Sequence, residues 1–195
     1  MKLNIRYIGV NGKLAFDVGY YDGNDKSAQA YKSWYKMLMR CYCEKYLAKR
    51  PTYKGVTVCK DWLIFSNFKL WHDSNSVDGW QLDKDLLSDS HQYNEESCLF
   101  VPPWLNTFMV DCGSSRGDSP IGVCFVKSRG MYQAQCRDNI SGSRGFIGRF
   151  KTKTEAHRAW VDRKTELAFM LKDNMDAIDK RIYYRVINKI FNSLR

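Results

Sequence analysis

The sequence predicts an α+β fold made of two small domains. Three observations carry this prediction: apolar residues at helical spacing between residues 31 and 72, strand-like alternation around residue 82, and an order of three strands and one helix after residue 120. The Gly- and Ser-rich stretch Asp111–Ser119 has nothing to bury. Because such a stretch is typical of a linker or wide loop, we place the domain boundary there.

Composition limits the function classes. The 195 residues are 44% hydrophobic and 14% aromatic, which favours packed cores over disorder. No apolar run approaches membrane-spanning length, and the start MKLNIRYIGV lacks a signal-peptide core and a cleavage site. The lack of a long apolar run predicts no membrane partner. Seven cysteines, none of them in a C-x-x-C pattern, together with the missing signal peptide predict free thiols in a reducing cytoplasm.

Positive charge is concentrated towards the C-terminus. Residues 1–111 hold 14 Lys and Arg against 13 Asp and Glu, whereas residues 112–195 hold 17 against 8. Nine of the ten net positive charges therefore lie after residue 111. A basic excess confined to one region is typical of a polyanion partner, and we expect double-stranded DNA.

Residues 1–30 are interpreted as a β appendage with a hairpin turn at Asn11-Gly12. Two amphipathic helices follow, the first capped by Asp25–Ser27 and the second by Asp61. Each has one apolar face typical of a core: Tyr31, Trp34, Tyr35, Leu38, Cys41 and Tyr42 in the first, and Trp62, Phe65, Phe68, Trp71 and His72 in the second. His72 is interpreted as a helix-end histidine and not as a ligand.

Residues 80–108 form the stretch with the most chemistry. Trp80–Leu87 alternates apolar and polar residues like a half-buried strand, and Ser88–Glu96 has loop composition. Cys98–Val101 is a second short strand, and the prolines after it suit the first turn of a helix. This order of strand, loop, strand and helix places three polar residues on converging edges of one site: Asp83, Lys84 and Asn106.

The same stretch with its helical lead-in resembles the ββα-metal core of phage HNH endonucleases. The match covers about residues 31–108, and its combined pattern is more specific than any piece of it. The elements that carry it are Trp34, Met37-Leu38, Arg40-Cys41, Tyr53, Gly55, Val58-Cys59, Trp62, Phe65, Phe68, Leu82-Asp83-Lys84-Asp85, Tyr93, Cys98 and Asn106. The resemblance implies metal-dependent DNA hydrolysis, with Asp83 and Asn106 as metal ligands.

Departures from the family pattern bear on catalysis. Active members place a His general base after the first ligand, whereas this chain has Lys84, and Cys98 replaces the middle Asn. Asp83 and Asn106 both offer oxygen, so they suit Mg²⁺ or another hard divalent cation. Lysine is a poor base at neutral pH unless burial lowers its pKa. His91 in the loop is an alternative base, and a solvated loop residue is the plainer interpretation.

Zinc is a disfavoured alternative for the first domain. Cys41, Cys43, Cys59 and Cys98 supply four thiols within it, which is the number of a structural zinc site. However, two cysteines separated by one residue on a helix are poorly spaced as ligands. Free cysteines are also among the residues most often buried, so core packing accounts for them more simply.

After the boundary the sequence predicts three antiparallel strands and one helix packed behind them. The strands are Ile121–Val126, Met131–Cys136 and Gly145–Phe150, and Ser128–Gly130 turns between the first two. Thr152 and Glu155 form a capping-box pair that opens the helix. The helix buries Ala156, Ala159-Trp160, Leu167 and Leu171, while His157 is expected to point to solvent. Residues 172–195 add one further helix.

The uncovered side of that sheet is the predicted DNA-binding surface. Arg and Gln are the side chains that pair bidentately with guanine and adenine, although a solvated basic face has the same composition. The candidate residues are Lys127, Arg129, Gln133, Gln135, Arg137, Arg144 and Arg149.

The order of motifs is similar to the ethylene-response-factor-type DNA-binding domain, over about residues 120–168. It is carried by Gly122-Val123, Tyr132-Gln133-Ala134, Gly148-Arg149-Phe150, Thr152, Glu155-Ala156, Ala159-Trp160 and Lys164. In that family the three-stranded sheet lies in the major groove, where its Arg and aromatic side chains read bases. Family members often carry Tyr where this chain has Trp160.

The two resemblances occur together in phage homing endonucleases. The first interpretation is therefore a phage-encoded DNA-binding protein of the host cytoplasm, which nicks or cuts DNA if its metal site works. The second is a catalytically degenerate descendant that regulates through DNA or binds a host enzyme or defence factor. Lys84 favours the second, and Asp83 together with Asn106 favours the first. A third, structural reading makes LDKD a capped strand end. The predicted domains are 1–30, 31–111, 118–171 and 172–195.

Overall fold

A computed structural model describes residues 14–108 and 118–194, apart from the side chain of Arg144. Helices and small sheets are mixed along the chain, so the α+β prediction is confirmed. The chain divides into two compact units, Met1–Phe100 and Val101–Arg195. The predicted Asn11-Gly12 hairpin and most of the predicted linker lie outside the described residues.

Helices form most of the core of the first unit. They are α1 (Gln29–Tyr42), α2 (Glu44–Lys49) and α3 (Phe65–Asn75). The two predicted apolar stripes are confirmed at their centres, since Trp34, Leu38 and Phe68 are fully buried. Apolar side chains at a spacing of three and four residues share one helix face, which is why these residues meet in one cluster.

Both predicted caps of the first unit were wrong. The carboxylate of Asp25 accepts hydrogen bonds from the backbone N–H and the hydroxyl of Ser27, and α1 begins four residues after it. Asp61 starts a short 3-10 helix, Asp61–Leu63, and α3 begins beyond it at Phe65. The Asp25 side chain organises the turn that precedes α1, where Asp is favoured for its hydrogen bonding. At Asp61 the backbone carbonyl accepts from the Ile64 N–H over 3.2 Å and closes the 3-10 turn before α3.

Strands in the first unit are two or three residues long. The pair β1 (Leu14–Ala15) and β2 (Gly19–Tyr20) is antiparallel, and β3 (Thr57–Val58) pairs in parallel with β5 (Gln92–Tyr93). β4 (Gln81–Asp83) pairs with β6 (Leu99–Val101). The predicted strand at residues 80–87 is thus shortened to three residues. The carboxylate of Asp83 accepts hydrogen bonds from the N–H groups of Asp85 and Leu86, and this turn ends the strand.

The second unit begins with α4 (Pro103–Phe108), which follows β6 as predicted, and then forms the predicted antiparallel sheet. Its strands are β7 (Val123–Val126), β8 (Met131–Arg137) and β9 (Arg144–Phe150), in that spatial order. β7 starts two residues later than predicted because Gly122 turns the chain with φ +77°. A Cβ there would lie 1.9 Å from the indole of Trp160, so only glycine lets the turn pack on the helix.

Helix α5 (Lys153–Met170) covers one face of this sheet. Its predicted capping box is confirmed: the Glu155 N–H donates to the Thr152 hydroxyl over 3.2 Å, and the Thr152 N–H donates to the Glu155 carboxylate over 3.1 Å. Each of these bonds satisfies a backbone donor that the first turn would otherwise leave unpaired.

The C-terminal segment forms two helices and not the single helix predicted. They are α6 (Lys172–Asp176) and α7 (Arg181–Asn192), and α7 packs on α5 through Ile182, Val186 and Ile190. His157 on α5 is buried at 5% exposure, so the prediction that it points to solvent was wrong. Its ring nitrogens lie 3.0 and 2.8 Å from the carbonyl oxygens of Ile121 and Ser193, which tie the sheet and α7 to α5.

Candidate nucleic-acid interface

The sheet of the second unit has one covered and one uncovered face. Val123, Ala134 and Ala156 form the buried cluster between sheet and helix. Because side chains alternate along a strand, the neighbours of Ala134 in β8 point the other way. Gln133 is half-buried, and Gln135 and Arg137 are exposed, as period two requires. The face opposite α5 is therefore lined by amide and guanidinium groups.

The pairing of β8 with β9 brings further residues to this face. Gln133 lies opposite Arg149, and Arg137 lies opposite Arg144. A bulge between Ala134 and Gln135 shifts the register by one residue, so that Gln135 pairs with Phe146. Phe146 is consequently turned outwards at 56% exposure, among the polar side chains.

Arg149 and Phe146 form a preorganised pair on the uncovered face. The guanidinium carbon of Arg149 lies 5.0 Å from the centroid of the Phe146 ring. A guanidinium over an aromatic face is attracted by the ring's quadrupole, which limits the orientations that the arginine samples. The exposed edge of the guanidinium stays available for acceptors.

Lys127 and Arg129 occupy the turn between β7 and β8 and not the sheet face. They belong to a 3-10 turn, Lys127–Arg129, which Gly130 closes in the left-handed region with φ +61°. Both side chains are exposed. Within the part of the chain that the structure describes, neither they nor the exposed arginines of β8 and β9 form an ion pair with a carboxylate. The cations of this surface are available to an outside partner.

The predicted nuclease residues of the first unit have internal partners. Oδ1 of Asp83 accepts from the N–H groups of Asp85 and Leu86 over 2.9 and 2.8 Å. Lys84, in the general-base position, is 5% exposed, forms an ion pair with Asp85 and lies 5.8 Å from the ring centroid of Tyr93. Both residues therefore help to hold the chain that follows β4.

His91 and Asn106 lie in different units. The His91 side chain is exposed in the loop before β5, and its carbonyl accepts from the Thr57 N–H over 2.8 Å. Asn106 lies half-buried in α4. Of the four residues predicted for catalysis, Asp83 and Lys84 are adjacent in the chain at the end of β4, and His91 lies in the loop before β5, where its carbonyl contacts β3.

The cysteines of the first unit have the electrostatics of core residues. Burial raises the pKa of Cys41 to about 12 and that of Cys98 to about 12. Metal ligation requires the thiolate, which burial of this kind disfavours. Among the described residues no group of three or more His, Cys, Asp or Glu side chains converges as a metal site would require. The side chains that the structure describes in this unit therefore do not complete a metal centre by themselves.

Comparison with known proteins adds no relative. No family model matches the sequence, and no similar curated protein or solved structure was found. In the described ranges no helix is both long and apolar enough to cross a bilayer.

Two features of the second unit were not predicted from the sequence. The first is the outward position of Phe146. Strict alternation along β9 from Arg149 predicts that Ile147 points outwards, whereas the bulge places Phe146 on the outward face instead. The second feature is Lys164, which is 7% exposed on α5 although lysine normally reaches solvent. A lysine three to four residues from Trp160, Val161 and Leu167 was the available signal, because those residues define the buried stripe of α5.

Proposed function

We propose that this chain is a DNA-binding protein that reads duplex DNA with the uncovered face of the sheet in its second unit. The observation that carries the proposal is the set of outward side chains without carboxylate partners among the described residues: Gln133, Gln135, Arg137 and Arg149, with Phe146 between them. The net charge of +9 after residue 111 supports the same partner.

The chemistry of this face suits base edges as well as phosphates. An arginine can bond O6 and N7 of guanine, and a glutamine can bond N6 and N7 of adenine, each pair being worth about 1–3 kcal/mol of discrimination. Phe146 offers an apolar contact for a thymine methyl group. Lys127 and Arg129 at the end of the hairpin are placed to hold phosphates, which set register and not sequence.

A competition titration at fixed salt tests the proposal, because counterion release otherwise masks differences between sequences. The preferred site is first selected from random duplexes with the full chain. Arg137→Ala or Gln135→Ala is expected to reduce the preference for that site over random DNA by about ten-fold. Arg158 is the matched control, since it is an exposed arginine on α5, the helix behind the sheet. Equal losses on selected and random DNA would reduce the face to an electrostatic surface.

Metal-dependent nicking is the second candidate, and one observation favours it: Asp83 is the last residue of β4, the position at which HNH-like cores carry a metal ligand. The resemblance also assigns a ligand role to Asn106, and both side chains offer oxygen, which suits Mg²⁺. Lys84 argues for the degenerate alternative, because a lysine held by Asp85 is a poor base.

Incubation with supercoiled plasmid separates the two alternatives. Protein with Mg²⁺ or Mn²⁺ is compared with protein in EDTA and with the Asp83→Ala variant. Metal-dependent nicking that Asp83→Ala abolishes would establish the enzyme. Duplex binding without nicking would favour the DNA-binding regulator. The absence of both activities would favour a protein that binds a host enzyme or defence factor. A phage origin and a cytoplasmic location remain part of the proposal.

A further inference from the structure

A cleft in the second unit lies at the end of the sheet where β7 begins and β8 extends past it. Val123 is the first residue of β7 and pairs with Ala134, so Gln135–Arg137 runs on past the paired part of β7. The cleft that opens there has a volume of about 530 Å³. This is within the range of small-molecule sites, about 300–1,000 Å³.

The walls of the cleft combine rings with hydrogen-bonding groups. Three aromatic side chains line it, from α4, β7 and α5 respectively: Phe108, Phe125 and Trp160. The Gln135 amide lies at the edge of the uncovered sheet face, and α4 is held near the end of β8 because Asn139 donates to the Trp104 carbonyl over 3.2 Å. Rings on several sides suit a planar group, which gains dispersion and stacking contacts there.

The charge of the cleft selects an anion. Lys164 and Arg137 line it, and none of the described lining residues is acidic. Lys164 is more than nine-tenths buried, and its ammonium lies 3.4 Å from the centroid of the Phe108 ring. Burial lowers the pKa of Lys164 to about 8, and no carboxylate among the described residues offsets that cost. A buried cation without a counter-charge is expensive in a folded protein unless a ligand supplies the charge.

We propose that this cleft binds a single nucleotide, with its phosphate between Lys164 and Arg137 and its base against the ring of Phe125, which is 48% exposed, while Phe108 and Trp160 form the buried part of the lining. The nucleotide is a free nucleoside 5′-phosphate or one unstacked from a strand, and both present the same chemistry. The size of the cleft, its rings and its two cations each fit one part of such a ligand. The cleft shares Gln135 and Arg137 with the proposed duplex-reading face, whereas Lys164 and Phe125 are not among the residues of that face, so variants of these two test the cleft separately.

The test titrates the full chain with dAMP, dGMP, dCMP and dTMP by calorimetry, with the indole N–H of Trp160 followed by NMR. At least one nucleotide is expected to bind and to shift the Trp160 signal. Two partial ligands serve as comparisons: the deoxynucleoside, which lacks the phosphate, and inorganic phosphate, which lacks the base. Each is expected to bind about ten-fold or more weakly than the nucleotide, because it makes only part of the contacts. A phosphate that binds as tightly as every nucleotide would overturn the base contact.

Two variants assign the site. Lys164→Met keeps a side chain of similar length without its charge, and it is expected to lower the affinity for the nucleotide by about ten-fold or more. Lys151→Met is the matched control, since Lys151 is exposed and does not line the cleft. Phe125→Ala removes a ring that is 48% exposed, so it tests stacking with little risk to folding. Unchanged nucleotide affinity in both Lys164→Met and Phe125→Ala would refute the site.

Two further measurements identify the source and keep the proposals apart. Wild-type affinity is expected to fall as pH rises through about 8, because Lys164 then loses its proton. The affinity for a duplex with one abasic position opposite a base is compared with the affinity for the intact duplex. If wild type prefers the abasic duplex and Lys164→Met does not, the ligand is a nucleotide unstacked from a strand. Nucleotide binding without duplex binding would leave the cleft standing and refute duplex reading. Duplex binding without any nucleotide binding would do the opposite.

Discussion

In the first unit the charged residues at the end of β4 are held by neighbours in the chain, whereas in the second unit the cations of the sheet face have no carboxylate partner among the described residues. Asp83 accepts two backbone hydrogen bonds and Lys84 pairs with Asp85. Arg137 and Arg149 lie exposed on a face that no helix covers. The difference shows that a motif with a catalytic resemblance can serve the fold, while plain alternation of Gln and Arg leaves groups available for binding.

Buried cations sharpen the comparison further. Lys84 in the first unit has a carboxylate beside it, and Lys164 in the second has the face of an aromatic ring. The charge of Lys84 is balanced by Asp85, so this buried lysine needs no outside partner. Among the described residues Lys164 contacts a ring and no carboxylate, so its burial carries a cost that a bound anion removes. The same residue type thus indicates structure in one unit and a ligand in the other.

The largest expected effect tests whether the two units stand apart. Gly122→Ala would place a Cβ 1.9 Å from the Trp160 ring at a left-handed φ, so it is expected to destabilise the second unit by about 3–5 kcal/mol and to abolish duplex binding. The first unit is followed by NMR through the Trp34 indole N–H, which donates to the Trp62 carbonyl over 2.7 Å. That signal is expected to survive.

Two glycines provide controls for Gly122→Ala. Gly130 in the second unit and Gly55 in the first also have positive φ, and a Cβ at either would have no atom within 4 Å. Each Ala variant is therefore expected to cost only about 1 kcal/mol, from backbone strain alone. Loss of the Trp34 signal together with that of Trp160 in Gly122→Ala would break the comparison, because the units would then unfold as one.

An intermediate effect is expected from the pH dependence of Lys164→Met. The pKa of Lys164 is about 8 in the folded chain and 10.5 as an isolated lysine, so the unfolded state binds more protons between these values. Wild-type stability therefore rises from pH 8 to 10.5 relative to the variant. Below pH 8 the variant is expected to be more stable by about 3 kcal/mol, since each unit of the pKa shift corresponds to about 1.4 kcal/mol.

The measurement is urea unfolding of both chains from pH 7 to 10.5. Cys41 and Tyr93 of the first unit, whose pKa values are raised by burial, change the stability of both chains alike at high pH and cancel in the difference. The Cys136 thiol interacts with Lys164, so both chains carry Cys136→Ala in this comparison. A stability difference that does not change with pH would show that the Lys164 ammonium is hydrated and keeps the pKa of an exposed lysine. In that case the second unit would lack the buried cation that distinguishes it.

Local sequence signals predicted what local interactions decide. The capping box at Thr152 and Glu155 needs only four residues, and period two along β8 turns Gln133, Gln135 and Arg137 outwards. Two misses in the second unit come from a contact that is distant in sequence and from irregular pairing. His157 is buried by Ser193, 36 residues away. Phe146 is exposed by a bulge that alternation cannot show.

The sequence alone does not decide whether Asp83 and Lys84 form a nuclease site or a turn. Leu82-Asp83-Lys84-Asp85 reads equally as ligand and base or as a strand end with its turn, because Asp serves both purposes. Burial decides between these uses, and it depends on Tyr93 and other residues that the motif does not contain. Alternation placed these residues inside a strand over 80–87, so it did not predict the turn that follows Asp83 or the partners of its side chains.

The smallest expected effect separates structure from chemistry at Asp83 itself. Asparagine keeps the side-chain oxygen that accepts from the Asp85 and Leu86 N–H groups, so Asp83→Asn is expected to change the free energy of unfolding by less than about 0.5 kcal/mol. Asp83→Ala leaves both donors without this acceptor and is expected to cost about 1–2 kcal/mol. Urea unfolding of the three chains measures this, with plasmid nicking assayed in parallel. If Asp83 serves only the turn, Asp83→Asn matches wild type in both assays. If Asp83→Asn keeps its stability and loses a metal-dependent nicking that wild type has, the carboxylate charge was acting on a metal. The first unit would then present its charged residues to a ligand just as the second does.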